Sequence, residues 1–206
     1  MATEDFEAHA VRAARRVSEA SIVCTTLGST AAVALGVDAS SAALVAFGAV
    51  GYVDLVGSVA LVHHFRHALR HDALSDHFEQ RAHRVVTVGL FSVGVVTVIA
   101  GGVRLAIGSS ADTAIGGIVV ASVSLVALGA LSARKAVVAA RVRSAALRAD
   151  GHLSSVGAAQ ALVVLVGTVA TRVLSWHWAD NVAALVVGSV ALGLATVSWA
   201  RVRTVP

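Results

Sequence analysis

The sequence predicts an all-α membrane protein, a bundle of six transmembrane helices with both termini on the cytoplasmic side. Three observations carry this. Six apolar runs of roughly 20 residues each are long enough to cross a bilayer core of about 30 Å. Of the 16 Lys and Arg residues, all but Arg104 and Arg172 fall on one side of those runs. By the positive-inside rule that richer side is cytoplasmic. The composition agrees: 57% hydrophobic residues, 14% charged residues and a mean hydropathy of +0.82 would leave a soluble chain without enough polar surface to show to water.

The first span is expected at 17–37, after Arg12, Arg15 and Arg16, and the hinge Asp38-Ala-Ser-Ser41 turns it into the second at 39–62. A connection rich in His, Arg and acidic residues leads to the third span at 85–107, closed by the short loop 108–112. The fourth span is 113–132. The basic stretch 133–148 has helical composition and is expected to extend that helix into the cytoplasm. The fifth is 150–174, ending at Trp176-His-Trp178, where aromatic rings suit the outer interface. The sixth is 181–199. These runs are too long and continuous for the alternating segments of about ten residues in a barrel strand. Glycines inside them, with small-xxx-small pairs such as Gly117/Ala121 and Ala184/Gly188, suit close helix packing. The only proline is Pro206, so no span carries a proline kink.

Several classes are excluded or narrowed. Six crossings nearly consume the 206 residues, so a single transmembrane domain, 1–206, is expected, without a cytoplasmic C-terminal domain and without a cleavable signal peptide. A sequence pI near 10.5 suggests nucleic acid, but topology already explains the basic residues, whose neighbours are anionic lipid headgroups. Localisation in the inner (plasma) membrane follows. Cys24 is the only cysteine, which excludes an internal disulfide or a multi-thiolate metal site and leaves it as a small packing residue. No nucleophile–base pair, HExxH or phosphate-cradling loop points to an enzyme.

An ionisable group inside a span costs about 2.5–3.5 kcal/mol on insertion scales, so each needs a reason. Asp54 lies well inside the second span, with Ser58 one turn further on the same face. Glu19 is expected to pair with Arg15 or Arg16 at the interface. Asp150 opens the fifth span and reads as an N-terminal carboxylate favoured by the helix dipole. Asp150, Ser154 and Ala158 share one stripe; Leu153, Gly157 and Gln160 share another. Gln160 sits near mid-membrane, either as an interhelical hydrogen bond or as part of a transport pathway. His63, His67 and His71 recur every fourth residue, with His77, Asp72, Asp76 and Glu79 nearby. Imidazole with carboxylate suits zinc or a similar divalent ion, although such mixtures also make ordinary solvated juxtamembrane helices.

Four segments together carry a family resemblance: Gly51-Tyr-Val-Asp54, Glu79-Gln-Arg-Ala-His-Arg84, Ala149-Asp150 and Trp176-His-Trp-Ala-Asp-Asn-Val-Ala-Ala184. With six spans and cytoplasmic ends, the chain resembles the membrane domain of the cation diffusion facilitator (cation efflux) family, especially its short actinobacterial-type members. The resemblance implies efflux of divalent metal, often zinc, usually by proton exchange and usually by a homodimer. It also implies a transport site of two aspartates on span two and a His and an Asp on span five. Only Asp54 matches; the other positions hold Ser58, Leu153 and Gly157. The expectation is therefore a zinc-type cation transporter, its divalent metal a substrate rather than a cofactor, with a degenerate site. Asp54, Ser58, Gln160 and Asp150 would line the pathway; Asp54, His63, His67 and His71 are the candidate metal ligands. A non-transporting scaffold or partner subunit that keeps the fold is the alternative.

Overall fold

A computed structural model describes residues 2–68, 76–109, 111, 115–142 and 145–203 of the chain. Six helices follow in order: α1 (Ala2–Asp38), α2 (Ala42–Ala68), α3 (Asp76–Ala106), α4 (Ile115–Val142), α5 (Ala145–Val173) and α6 (Ala179–Arg203). Each contains a stretch long and apolar enough to cross a membrane: Arg12–Asp38, Ala42–Ala60, Thr87–Ala106, Ile115–Arg141, Asp150–Val173 and Ala179–Val197. The described residues contain no strand. The chain is a multi-pass, all-helical membrane protein.

The interior and the surface invert the pattern of a soluble domain. Large aliphatic side chains point outward, with Val23, Ile99 and Val126 56%, 60% and 72% exposed. The buried positions are small: Ala32, Ala43, Ala121, Ala161, Ala184 and Ala191 are each fully enclosed. In lipid an apolar side chain gains nothing by leaving the tails, so close backbone approach at small residues holds helices together. On α1, Ala14, Ser18, Ser21, Thr25 and Ala32 form one buried face at alternating four- and three-residue steps. Cys24, expected to pack, lies beside that face and is exposed.

Helix α2 is central, touching α1, α3, α5 and α6; α4 closes the other side against α1 and α5, and α3 pairs with α6. Glycines set the crossings. A Cβ added at Gly48 would stand 2.8 Å from the Ser29 carbonyl of α1, and one at Gly188 3.1 Å from Thr97 Cβ of α3. The basic stretch 133–148 is not one helical extension. α4 ends at Val142 and α5 begins at Ala145, and fully buried Leu147 of α5 packs with Ala139 of α4 and Ala14 of α1.

The end bearing Trp176 and Trp178 is stapled by backbone and side-chain bonds. Ser40, with φ 50°, ends α1: the N–H of Ser41 reaches the Gly36 carbonyl at 2.8 Å and that of Ser40 the Val37 carbonyl at 3.2 Å. Ser41 then caps α2, accepting from Leu44 N–H at 3.1 Å. From the start of α6, Asp180 accepts from Ser41 Oγ at 2.5 Å and from Ala42 N–H at 2.9 Å. One carboxylate thus caps a neighbouring helix where orphan N–H groups and the helix dipole favour negative charge. Arg104 donates to the Ser40 carbonyl, and Asn181 Nδ2 to that of Ser109 at 2.7 Å. The two indoles stack with centroids 5.3 Å apart.

Gly48→Ala should lower stability in detergent by about 1–3 kcal/mol through overpacking against backbone. Gly102→Ala, where an added Cβ meets nothing within 4 Å, should leave it unchanged or raise it by up to about 1 kcal/mol. Thermal unfolding of the two variants side by side checks the contrast. For Asp180→Ala, loss of the cap should cost about 0.5–2 kcal/mol, and hydrogen exchange at the Ala42 amide should speed up.

Candidate functional site: a buried lysine–aspartate centre

Toward the end of the bundle that carries most of the basic residues, three helices meet on one ammonium group and a fourth joins through its carboxylate partner. Lys135 of α4 is fully buried, and its Nζ lies 2.6 Å from Asp150 Oδ2 of α5. The same Nζ donates to Ser21 Oγ of α1 and to Ser154 Oγ of α5, each at 2.8 Å. Of the ammonium's three donors, two are used in these hydrogen bonds to serine hydroxyls. Asp150 Oδ1 in turn accepts from Ser58 Oγ of α2 at 3.1 Å. The contact at Oδ2 is a close approach of opposite charges without hydrogen-bond directionality.

Local spacing makes this possible. Asp150 and Ser154 are one turn apart on α5, and Ser154 also donates to the Asp150 carbonyl at 3.2 Å. Gly151 lets α4 and α5 cross closely: a Cβ there would stand 3.2 Å from Lys135 Cβ. Ser132, one turn before Lys135, donates to the Gly151 carbonyl at 3.0 Å and fixes the crossing. Asp150 is the sixth residue of α5, beyond its first turn. The expected dipole-stabilised N-terminal carboxylate is therefore replaced by an ion-paired one, because the helix starts earlier than the apolar run.

Asp54 sits one turn before Ser58 on α2, with Asp150 and Lys135 as the charges acting on it. Its Oδ1 is buried without a hydrogen-bond partner. It borders a cavity of about 60 Å³ that Thr25, Ser29, Ser124 and Gln160 also line. Leu153 and Gly157, at the span-five positions of the resembled site, line it too and offer no ligand atom from their side chains. Gln160 donates from Nε2 to the Val187 carbonyl of α6 at 3.5 Å, at the outer limit of a hydrogen bond. Asp54, Ser58, Asp150 and Gln160 are thus gathered along the α2–α5 contact.

The histidine cluster is a different matter. His63 and His67 lie on the last turns of α2, their side chains outside the described ones, and His71 lies outside the described residues altogether. Among the described residues no group of three or more His, Cys, Asp or Glu side chains is placed to hold a metal ion. Glu19 pairs with Arg15 at 2.8 Å, as its spacing predicts.

Lys135 is the residue that sequence reasoning assigned to the wrong environment, by counting it among solvated topology charges. Two signals marked it. It is the only lysine beside fifteen arginines, and it stands one turn after Leu131 and one turn before Ala139, on a buried stripe. No protein-family model matches the chain, and no curated protein is significantly similar to it.

Breaking a buried pair strands a charge, so Lys135→Met should destabilise the protein by about 3–5 kcal/mol. Lys135→Met combined with Asp150→Leu should recover much of that loss. A double-mutant cycle by chemical unfolding in detergent checks both values, and additive effects of the two changes would refute the coupling.

Proposed function

We propose that this protein is a membrane cation transporter of the cation-efflux type, with its exchange centre at Asp54 beside the Lys135–Asp150 pair. The observation that carries the reading is Asp54, a residue inside a membrane-crossing helix that lines a cavity and has one buried carboxylate oxygen without a hydrogen-bond partner among the described residues. Ionisable groups inside membrane spans are costly and mark ion or proton pathways. Lys135 and Asp150 satisfy one another, whereas the Asp54 oxygen is left over. That residual charge is what a passing cation or proton would meet.

The cavity supports a small cargo. At about 60 Å³ the cavity has room for a few water-sized groups and is far below the several hundred Å³ of an organic-ligand pocket. The resemblance to cation-efflux proteins supplies the expected direction, outward from the cytoplasm, and the asymmetry of basic residues supports a cytoplasmic position for the Lys135 end. Exchange against protons suits a carboxyl group that can carry either ion.

A second reading, a scaffold that keeps the fold without transport, draws on Leu153 and Gly157 at the cavity wall and on Lys135, which already neutralises Asp150. The two readings separate in proteoliposomes of the purified protein, tested for flux of zinc and of alkali cations with and without a pH gradient. Transport predicts cation flux that Asp54→Asn reduces at least tenfold while the variant keeps its unfolding midpoint. No flux of any tested cation by the wild type would leave the scaffold reading.

A further inference from the structure

We infer that the cavity beside Asp54 is a binding site for a small, largely dehydrated monovalent cation of the sodium type. The inference deepens the transport reading by naming the ion, and for the ion's passage it rests on that reading.

The first argument is unmet bonding. Asp54 Oδ1 is buried without a partner, and so is Oγ1 of Thr25, a residue only 6% exposed; both residues line the cavity. A buried polar atom without a partner is costly, and two on residues that line one hollow are explained together by a ligand that a small side-chain adjustment would let both meet. The hydroxyls of Ser29 and Ser124 and the amide of Gln160 belong to the same wall. All are candidate oxygen donors.

The second argument is charge. Lys135 and Asp150 form a neutral pair, so an ionised Asp54 leaves one negative unit for a single positive one. One carboxylate with neutral hydroxyl and carbonyl oxygens is the ligand set of a hard cation. A zinc-type ion wants about four nitrogen, sulfur or carboxylate ligands, and among the described residues no such trio of side chains exists. The third argument is size. The cavity holds a dehydrated ion with one or two waters, and its remaining wall, including Phe47, Leu90, Leu128 and Leu194, is apolar. Low-dielectric walls strengthen the attraction between ion and carboxylate.

Glycine keeps the donors in place. A Cβ added at Gly51 would stand 2.2 Å from Ser29 Oγ, so any larger residue there displaces that hydroxyl.

Thermal unfolding of the purified full chain in detergent, with NaCl exchanged for choline chloride at constant ionic strength, tests the site. At tenfold excess over Kd the midpoint should rise by about 3–6 °C. LiCl and KCl define the size preference, and zinc should not reproduce the shift. Asp54→Asn should abolish the sodium response. Thr25→Val and Gly51→Ala, which leave the charge untouched, should raise the sodium concentration for half-effect at least tenfold. Coincident sodium and choline curves for the wild type overturn the inference, as does a shift given by zinc alone or a full sodium response in Asp54→Asn. If Asp54→Asn does not fold, an unchanged sodium response in both Thr25→Val and Gly51→Ala overturns it equally. Sodium stabilisation without vesicle flux would uphold this site and sink the transport reading; flux without stabilisation would do the reverse.

Discussion

The ion pair between Lys135 and Asp150 is the constraint on which the rest of the molecule is arranged. An ammonium enclosed in a helix bundle is tolerable only when its charge is matched and its protons find acceptors. Here the match draws one serine from α1, a serine and a carboxylate from α5, and through that carboxylate a serine from α2. Four helices are held in register by one group. Helices in lipid associate mainly through close fit, so a directional polar centre adds what small-residue packing lacks, a single preferred alignment.

The same centre sets the electrostatics of the neighbouring cavity. Pairing Lys135 with Asp150 offsets two charges and leaves Asp54 as a carboxylate lining the cavity with one oxygen unpartnered among the described residues. Two carboxylates without the lysine would make a more strongly negative hollow, suited to a divalent ion. On the transport reading proposed above, the departure from the resembled metal site at Ser58, Leu153 and Gly157 goes with the lysine, because fewer ligands and an internal cation both lower the charge that a bound cation would balance.

Much of the fold was legible because the membrane imposes coarse rules on composition. Run length and apolarity located the spans, and the Asp54/Ser58 and Asp150/Ser154 spacings placed those pairs on shared faces. What stayed hidden depended on which helix meets which. Lys135 looks like any basic residue after a span until α4 is laid against α5 at Gly151. Asp180 sits in the string that most supported the family resemblance, yet in the structure it caps the start of α2, a role that one-dimensional spacing does not reveal across 138 residues. The Schellman turn at Ser40 was equally opaque, since no glycine advertises it.

That cap has a mechanical meaning. The first turn of α2 is tied to α6 by a carboxylate and to Arg104 through the preceding turn; further along, Tyr52 meets Thr30 of α1 at 2.7 Å and Ser58 is held to Asp150 by one hydrogen bond. Sixteen residues of helix separate Ala42 from Ser58, a lever of about 24 Å. A tilt of only about 5° around the capped end would carry Ser58 by about 2 Å, beyond the reach of a 3.1 Å hydrogen bond. The helix that carries Asp54 is thus anchored hardest at its first turn, and near the charges its alignment with α5 depends on one hydrogen bond.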